Sequence, residues 1–128
     1  MKILTALLIS IVFSLYVFVQ TPKNHKYFEK DYQRVWYNAN CGSMEVILPD
    51  KARVDCVTKT HAIEFDFAPK WAESIGQALY YGRVLHKTPG IVLIIENAEK
   101  DQKYVNRVKA VAEIYGITLW TMTPNEMK

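Results

Sequence analysis

The sequence has few of the residues that build zinc sites. Among 128 residues there are two cysteines and three histidines, and the histidines are scattered at His25, His61 and His86. A structural zinc site brings about four Cys or His ligands together. The sequence is therefore poorly suited to a zinc site, and we assign no catalytic role to the histidines.

Repeats, low-complexity segments and a strong net charge are also missing. The formal charge is +3, and most basic residues are interspersed with acids. Such a balance does not by itself indicate nucleic-acid binding. Half of the residues are apolar and 12% are aromatic, which is typical of a globular chain. The length suffices for one domain with a modest core.

The N-terminus carries an apolar run, from Ile3 to Val19, behind Met1 and Lys2. This pattern predicts a targeting segment that is not part of the fold. The bulky residues from Tyr16 to Gln20 offer no small-residue cleavage site, which favours an uncleaved membrane anchor over a cleaved signal peptide. We predict a signal anchor or signal peptide over 1–20, a tether over 21–25, one domain over 26–123 and a tail over 124–128.

Two observations bear on the side of the membrane that holds the domain. The short N-terminal tail and signal-like opening favour export, with the domain outside the cytoplasm. Four basic residues after the apolar run would instead hold the domain on the cytoplasmic face. Two cysteines in a chain with an export signal favour a disulfide between Cys41 and Cys56, worth about 3 kcal/mol for a loop of about 15 residues. The alternative is a pair of unpaired thiols, with Cys56 in the core.

Three carboxylates lie within otherwise apolar strands between Arg53 and Lys70. The pattern predicts a β-hairpin in which strands 53–58 and 61–67 are joined by a two-residue turn. In that register Asp55 lies opposite Glu64, and Arg53 lies opposite Asp66. Strand alternation assigns Val54, Cys56, Ile63, Phe65 and Phe67 to a core face and the charged residues to the other face.

Like charges directly opposite on a sheet are unfavourable, so the pairing of Asp55 with Glu64 needs a cause. A divalent cation that bridges the two carboxylates is one cause, and a raised pKa of one acid is another. The third interpretation is a solvated strand face with an Arg53–Asp66 salt bridge and no function. Glu45, on the preceding strand, is interpreted as a solvent-facing residue, because its register against Asp55 is open.

The remaining elements follow from hydrophobic periodicity and breaker residues. The first helix is predicted over 26–39, with an inward stripe of aromatic and small apolar residues. The tail from Thr123 is predicted to fray. The further elements are a strand at 44–48, a helix at 70–86, a turn at Thr88–Gly90, a buried strand at 91–95, a helix at 97–115 and a strand at 117–122. The inward stripe of the first helix comprises Tyr27, Phe28, Tyr32, Val35, Trp36 and Ala39.

A polar line follows one side of the helix that begins near Lys70. Its members, spaced at helical intervals, are Lys70, Ser74, Gln77 and Tyr81. Because this helix leaves the end of the strand that carries Glu64 and Asp66, its first turns must lie near those carboxylates. Lys70 and Gln77 are the polar groups best placed to lean over them, unless they belong to an ordinary solvated helix face.

The element order resembles the αβββαβ core of the PD-(D/E)XK nuclease superfamily, the restriction-endonuclease-like fold, with a further C-terminal α-β unit. The fold class is therefore α/β, with an α+β mixed sheet. Asp55 resembles the superfamily's first acid, Glu64 its second acid, and Gln77, in IGQALYY, its helix glutamine. The stretches RVDC, HAIEFDFAPKWAESIGQALYYG and PGIVLII are also similar to a family of small exported bacterial proteins.

The resemblance implies metal-dependent hydrolysis of a phosphodiester, with nucleic acid as substrate and DNA favoured over RNA. Asp55, Glu64 and Asp66 would bind Mg²⁺ or Mn²⁺, and Lys70 and Gln77 would assist catalysis. The superfamily places a lysine two residues after the second acid, where this chain has Asp66, so Lys70 would have to replace it. The alternative is a catalytically inactive fold that serves as a membrane-tethered binding or assembly module, with the membrane contacted through residues 3–19.

Overall fold

The computed structural model describes residues 25–40 and 42–128. The predicted targeting segment and all but the last residue of the predicted tether lie outside the described residues. Cys41 lies outside them as well, so the Cys41–Cys56 bridge stays a prediction. None of the helices in the described ranges is long and apolar enough to cross a membrane.

Three helices and five strands make up the described part of the chain, together with two short 3-10 helices. The elements, in chain order, are α1 (Glu29–Asn40), β1 (Ser43–Ile47), β2 (Arg53–Val57), β3 (His61–Phe67), a 3-10 turn (Ala68–Lys70), α2 (Trp71–Leu85), β4 (Thr88–Ile94), α3 (Ala98–Tyr115), β5 (Thr118–Met122) and a second 3-10 turn (Pro124–Met127). The predicted order of helices and strands is confirmed.

The five strands form one mixed sheet in the order β1-β2-β3-β4-β5. β1, β2 and β3 pair antiparallel, whereas β3, β4 and β5 pair parallel. The antiparallel half is a meander of short turns, and each parallel step needs a helical crossover, which α2 and α3 supply. The predicted α+β mixed sheet is therefore confirmed, and β3 lies at its centre.

Helices cover both faces of the sheet. Along β4, Val92 and Ile94 pack with α1 through Tyr32. On the other face, Ile91 and Leu93 pack with α2 through Ala78 and with α3 through Val108. All four strand residues are fully buried. A strand covered on both faces reads as a continuous apolar run, so the interpretation of β4 as a doubly buried strand is confirmed.

Three local predictions were wrong. The first helix begins at Glu29, so Phe28 precedes its first turn and is exposed. Pro89 and Gly90 are strand residues and pair with β3. Gly90 is needed there, because a Cβ at this position would lie 2.8 Å from the Trp120 ring. The segment from Thr123 is ordered by a capping box with Glu126.

Two further members of the predicted inward stripe of α1 lie outside the core. Val35 and Ala39 are exposed, whereas Tyr32 is fully buried and Trp36 is half-buried. Gln33 is buried although it is polar. The helix therefore turns a narrower apolar face to the sheet than the sequence pattern predicts, and one polar residue joins that face.

Candidate functional site

An open cavity of about 300 Å³ lies where β2 and β3 meet the first turns of α2. All five side chains that the sequence predicts as catalytic or metal-binding line this one cavity. They are Asp55, Glu64, Asp66, Lys70 and Gln77. The fold therefore brings together residues from two strands, the first 3-10 turn and α2.

The β2–β3 hairpin has the predicted register, with Cys56 opposite Ile63 and Val57 opposite Ala62. Continued by one step, this register brings Asp55 level with Glu64. At this position a side chain joins the two strands, because Asp55 Oδ2 accepts the Phe65 N–H at 2.9 Å. The carboxylate is thus fixed against β3 at the edge of the cavity.

Side-chain alternation in β2 is interrupted at Asp55. Val54 packs with Ala62 and Tyr81, whereas Cys56 packs with Phe65 in the cluster beneath α1. The prediction that Val54 and Cys56 share one face was therefore wrong. The neighbouring strand is irregular at the same level, because Glu45 has a left-handed backbone with φ of 50° between two positions that pair with Cys56 and Val54. A regular pleat cannot continue through such a residue.

Glu64 is the most unusual carboxylate of the cavity. Only 6% of the residue is exposed, and its Oε2 has no hydrogen-bond partner in the described part of the chain. Burial and, to a smaller extent, the nearby charge of Asp55 raise the pKa of Glu64 to about 10. Tyr32 Oη is the other such unpartnered buried atom among the described residues, but a neutral hydroxyl costs less to bury than a carboxylate.

The two aspartates are also perturbed by burial. Burial raises the pKa of Asp55, although the hydrogen bond from Phe65 opposes the shift. Burial raises the pKa of Asp66 to about 6, and the charge of Lys70 partly opposes that shift. At neutral pH the cavity therefore holds both protonated and ionised carboxyl groups within one small volume.

The cations of the site come from Lys70 and Arg53. Lys70 Nζ lies 3.9 Å from Asp66 Oδ1 across one turn. Arg53 pairs instead with Glu45, at 3.9 Å between Nη1 and Oε1, so the structure does not form the Arg53–Asp66 salt bridge of the non-functional interpretation. Glu45 is exposed, as predicted, and this ion pair is its role.

Gln77 faces the cavity from the second turn of α2. Its Nε2 donates to Tyr81 Oη at 3.2 Å, which belongs to the same polar line of the helix. Ser74 and Tyr81, two further members of that line, are buried. The line is therefore an inner face of α2 and not a solvated one.

Sequence reasoning missed Glu29. This side chain, in the first turn of α1, lines the same cavity and accepts a hydrogen bond of 3.0 Å from Gln33. Burial is the largest cause that raises the pKa of Glu29 to about 7, and the charges of Asp55 and Asp66 also raise it. Glu29 and Gln33 are one turn apart in the sequence, but nothing in their spacing indicates that the start of α1 reaches the sheet end.

The oxygen ligands present would suit a hard cation. Nevertheless, no three His, Cys, Asp or Glu side chains within residues 25–40 and 42–128 form a group that could hold a metal ion. Asp66 pairs with Lys70, whereas the side chains of Asp55 and Glu64 contact each other. Asp55 and Glu64 are therefore the two carboxylates that could share one ion. The predicted three-carboxylate metal site stays a prediction.

Comparison with known proteins adds no relative. No protein-family model matches the chain, and neither a curated protein nor a solved structure does so significantly.

Proposed function

We propose that this domain is a metal-dependent phosphodiesterase of the endonuclease type. The observation that carries the proposal is the buried Glu64, whose Oε2 lies unpartnered beside Asp55 at an open cavity. A buried carboxylate oxygen normally has a hydrogen-bond partner, and one without a partner points to a bound ion, a bound water or a catalytic role. A divalent cation would supply that partner.

The residues of the cavity fit Mg²⁺ or Mn²⁺. Asp55 and Glu64 would hold the ion, with the main-chain carbonyl of Phe65 as a further ligand and water completing the shell. Such an ion lowers the pKa of a bound water and stabilises charge on a phosphate. Asp66 would either join the ligands or keep Lys70 in place, and its 3.9 Å contact with Lys70 supports the second role.

Lys70 and Gln77 would act on the reacting groups directly. Lys70 lines the cavity from the 3-10 turn that follows β3, so its ammonium can take the place of the lysine that the PD-(D/E)XK motif puts where Asp66 stands. There it would orient the attacking water and neutralise developing charge. Gln77 would position water or phosphate through its amide.

A thermal melt of the full-length protein, with and without Mn²⁺, tests the proposal. A ligand at a hundred times its Kd adds about 2.7 kcal/mol of stability, so we expect Mn²⁺ to raise Tm by about 10 °C. Glu64→Ala should abolish this rise. The matched control is Glu113→Ala, an exposed acid on α3, which should keep it. An equal Tm for the wild type with and without Mn²⁺ would contradict the proposal.

A second candidate is a binding or assembly module that keeps this fold without its chemistry. Two observations favour it: Asp66 occupies the motif's lysine position, and the described residues contain no ready group of three metal ligands. Such a module should melt at the same temperature with and without Mn²⁺. Export, a membrane anchor at 3–19 and the alternative cytoplasmic location stay predictions under either function.

A further inference from the structure

One face of α3 is basic. Lys100, Lys103 and Arg107 are all exposed and are spaced at i, i+3 and i+7, which places them on one side of a helix. We call these three residues the α3 basic face. The opposite side of the helix is buried through Val105 and Val108.

Aromatic rings support two of these cations. The Arg107 guanidinium lies 5.2 Å from the centre of the Trp71 ring and 5.6 Å from that of Tyr104. Lys103 Nζ lies 4.9 Å from the Tyr104 ring. No carboxylate among the described residues comes within ion-pair distance of the three cations, since the ion pairs found there involve other residues. The charges of Lys103 and Arg107 are thus held in position by the rings, and no ion pair among the described residues neutralises any of the three cations.

The α3 basic face begins at the rim of the acidic cavity. Trp71, beneath Arg107, directly follows Lys70, whose ammonium faces Asp66 inside the cavity. At the other end, Lys100 borders a smaller recess together with Phe67 and Pro69. The segment from Phe67 to Trp71 therefore has the carboxylates on one side and the α3 basic face on the other.

The two surfaces would act differently on a polyanion. The carboxylates of the cavity repel it, so substrate affinity has to come from outside the cavity. From Lys100 to Arg107 the helix rises about 10 Å, close to the axial rise of three nucleotides in one strand of duplex DNA, at about 3.4 Å each. Phosphate contacts of this kind position a duplex without reading its sequence.

We propose that the α3 basic face binds the phosphate backbone of duplex DNA next to the cavity. This inference rests on the proposed function, because it supplies the substrate surface of that site. Lys103 and Arg107 would each contact a phosphate, held in register by Tyr104 and Trp71. Lys100 would extend the contact towards the start of α3.

The test is the binding of a short labelled duplex to the full-length protein, in a neutral detergent with EDTA, over a range of salt concentrations. Lys103→Gln with Arg107→Gln should weaken binding at least about tenfold at 0.1 M salt. It should also lower the salt slope by about 2, because each lost phosphate contact removes about 0.9. The matched control is Lys59→Gln with Lys109→Gln, which removes the same charge elsewhere and should leave affinity near that of the wild type.

A second double variant and a vesicle-binding measurement distinguish the possible causes of weaker DNA binding. Lys100→Gln with Lys103→Gln leaves the Arg107–Trp71 contact intact and should weaken binding as well, which separates lost charge from a lost fold. Equal weakening in the control, or no duplex binding by the wild type, would overturn the inference. So would a double variant that loses binding to phosphatidylglycerol vesicles but keeps its affinity for DNA.

Hydrolysis of bis(p-nitrophenyl) phosphate with Mn²⁺ separates this inference from the proposed function. That small diester does not reach the α3 basic face. If all variants hydrolyse it equally while duplex binding never changes, the proposed function stands and the inference fails. If duplex binding follows the prediction but no protein hydrolyses the diester, the binding surface stands and the catalytic proposal fails.

Discussion

Two polar groups of β3, His61 at its start and Glu64 at its middle, differ in whether their hydrogen bonds are complete. At its start, His61 donates to or accepts from Thr60 Oγ1 at 2.7 Å and Thr118 Oγ1 at 2.9 Å, so both ring nitrogens have a partner. Thr58 Oγ1 accepts the His61 N–H at 2.9 Å. At its middle, the same strand carries Glu64, which has one buried oxygen without a hydrogen-bond partner in the described part of the chain.

The difference separates a polar cluster that is complete within the protein from the site that we propose to bind a metal. The His61 cluster is complete within the protein, and the edge of the Trp120 ring closes it at 5.3 Å. The Glu64 cluster is incomplete, because Glu64 Oε2 has no hydrogen-bond partner in the described part of the chain. Burial also raises the pKa of Glu64 to about 10, that of Glu29 to about 7 and that of Asp66 to about 6. Strain of this kind persists where a ligand can relieve it, which is why perturbed carboxyl groups mark functional sites.

The largest effect that would sharpen the comparison is on catalysis. Asp55→Asn and Glu64→Gln should each reduce Mn²⁺-dependent cleavage of a plasmid at least about a hundredfold, or about 2.7 kcal/mol in the barrier, because they remove the charge that holds the ion. The Thr118→Val variant, which changes the His61 cluster, should cleave the plasmid at the wild-type rate. Full activity in both carboxylate variants would place the chemistry elsewhere.

The next effect is on the pH dependence of stability. An acid whose pKa is higher in the folded protein keeps its proton on folding, so the free energy of unfolding falls as pH rises from the ordinary value near 4.5 towards about 10 for Glu64. The slope is at most about 1.4 kcal/mol per pH unit for one proton. Melts without metal should therefore show a Tm several degrees lower at pH 8 than at pH 5, and Glu64→Gln should remove most of that fall.

Glu29 provides the control for this pH effect. Its pKa of about 7 confines its contribution to the interval from about 4.5 to 7, so Glu29→Gln should flatten only the lower part of the curve. A wild-type Tm that rises between pH 5 and pH 8 would contradict the raised pKa of both residues.

The smallest effect concerns the complete cluster. Thr118→Val removes the partner of His61 Nε2 and should cost about 1 kcal/mol, the usual loss for one hydrogen bond. Calorimetry should show a Tm lower by about 4–8 °C, with the Mn²⁺-dependent rise unchanged. If this variant lost its Mn²⁺-dependent rise in Tm, the His61 cluster and the Glu64 site would be coupled.

Local patterns were sufficient for most of the fold and for much of the site. The two-residue turn between Thr58 and His61 set the β2–β3 register, because turn length and strand alternation leave few alternatives. That register, with Lys70 one turn beyond β3, was enough to place Asp55, Glu64 and Lys70 around one cavity. The continuous apolar run of β4 identified a strand covered on both faces.

The positions where the sequence prediction was wrong depend on contacts with other strands. Pro89 and Gly90 read as a turn, but β3 and Trp120 make them a strand. Val54 lies on the opposite face from Cys56, at the level where Glu45 of the adjacent strand has a left-handed backbone. No short window of sequence contains Gly90 together with Ile63 and Trp120, and strand periodicity assumes a regular pleat, so periodicity could not predict either result.

The sequence by itself determined which elements form and which acids lie on neighbouring strands, since both depend on residues only a few positions apart. Only the tertiary structure decided that Glu29 joins those acids, that Arg53 pairs with Glu45 and that one buried oxygen of Glu64 has no partner in the described part of the chain. The reason is physical: the pKa of a carboxyl group and the ligand it needs depend on how many atoms exclude water around it. That number is set by the packing of α1 and α2 against the end of the sheet.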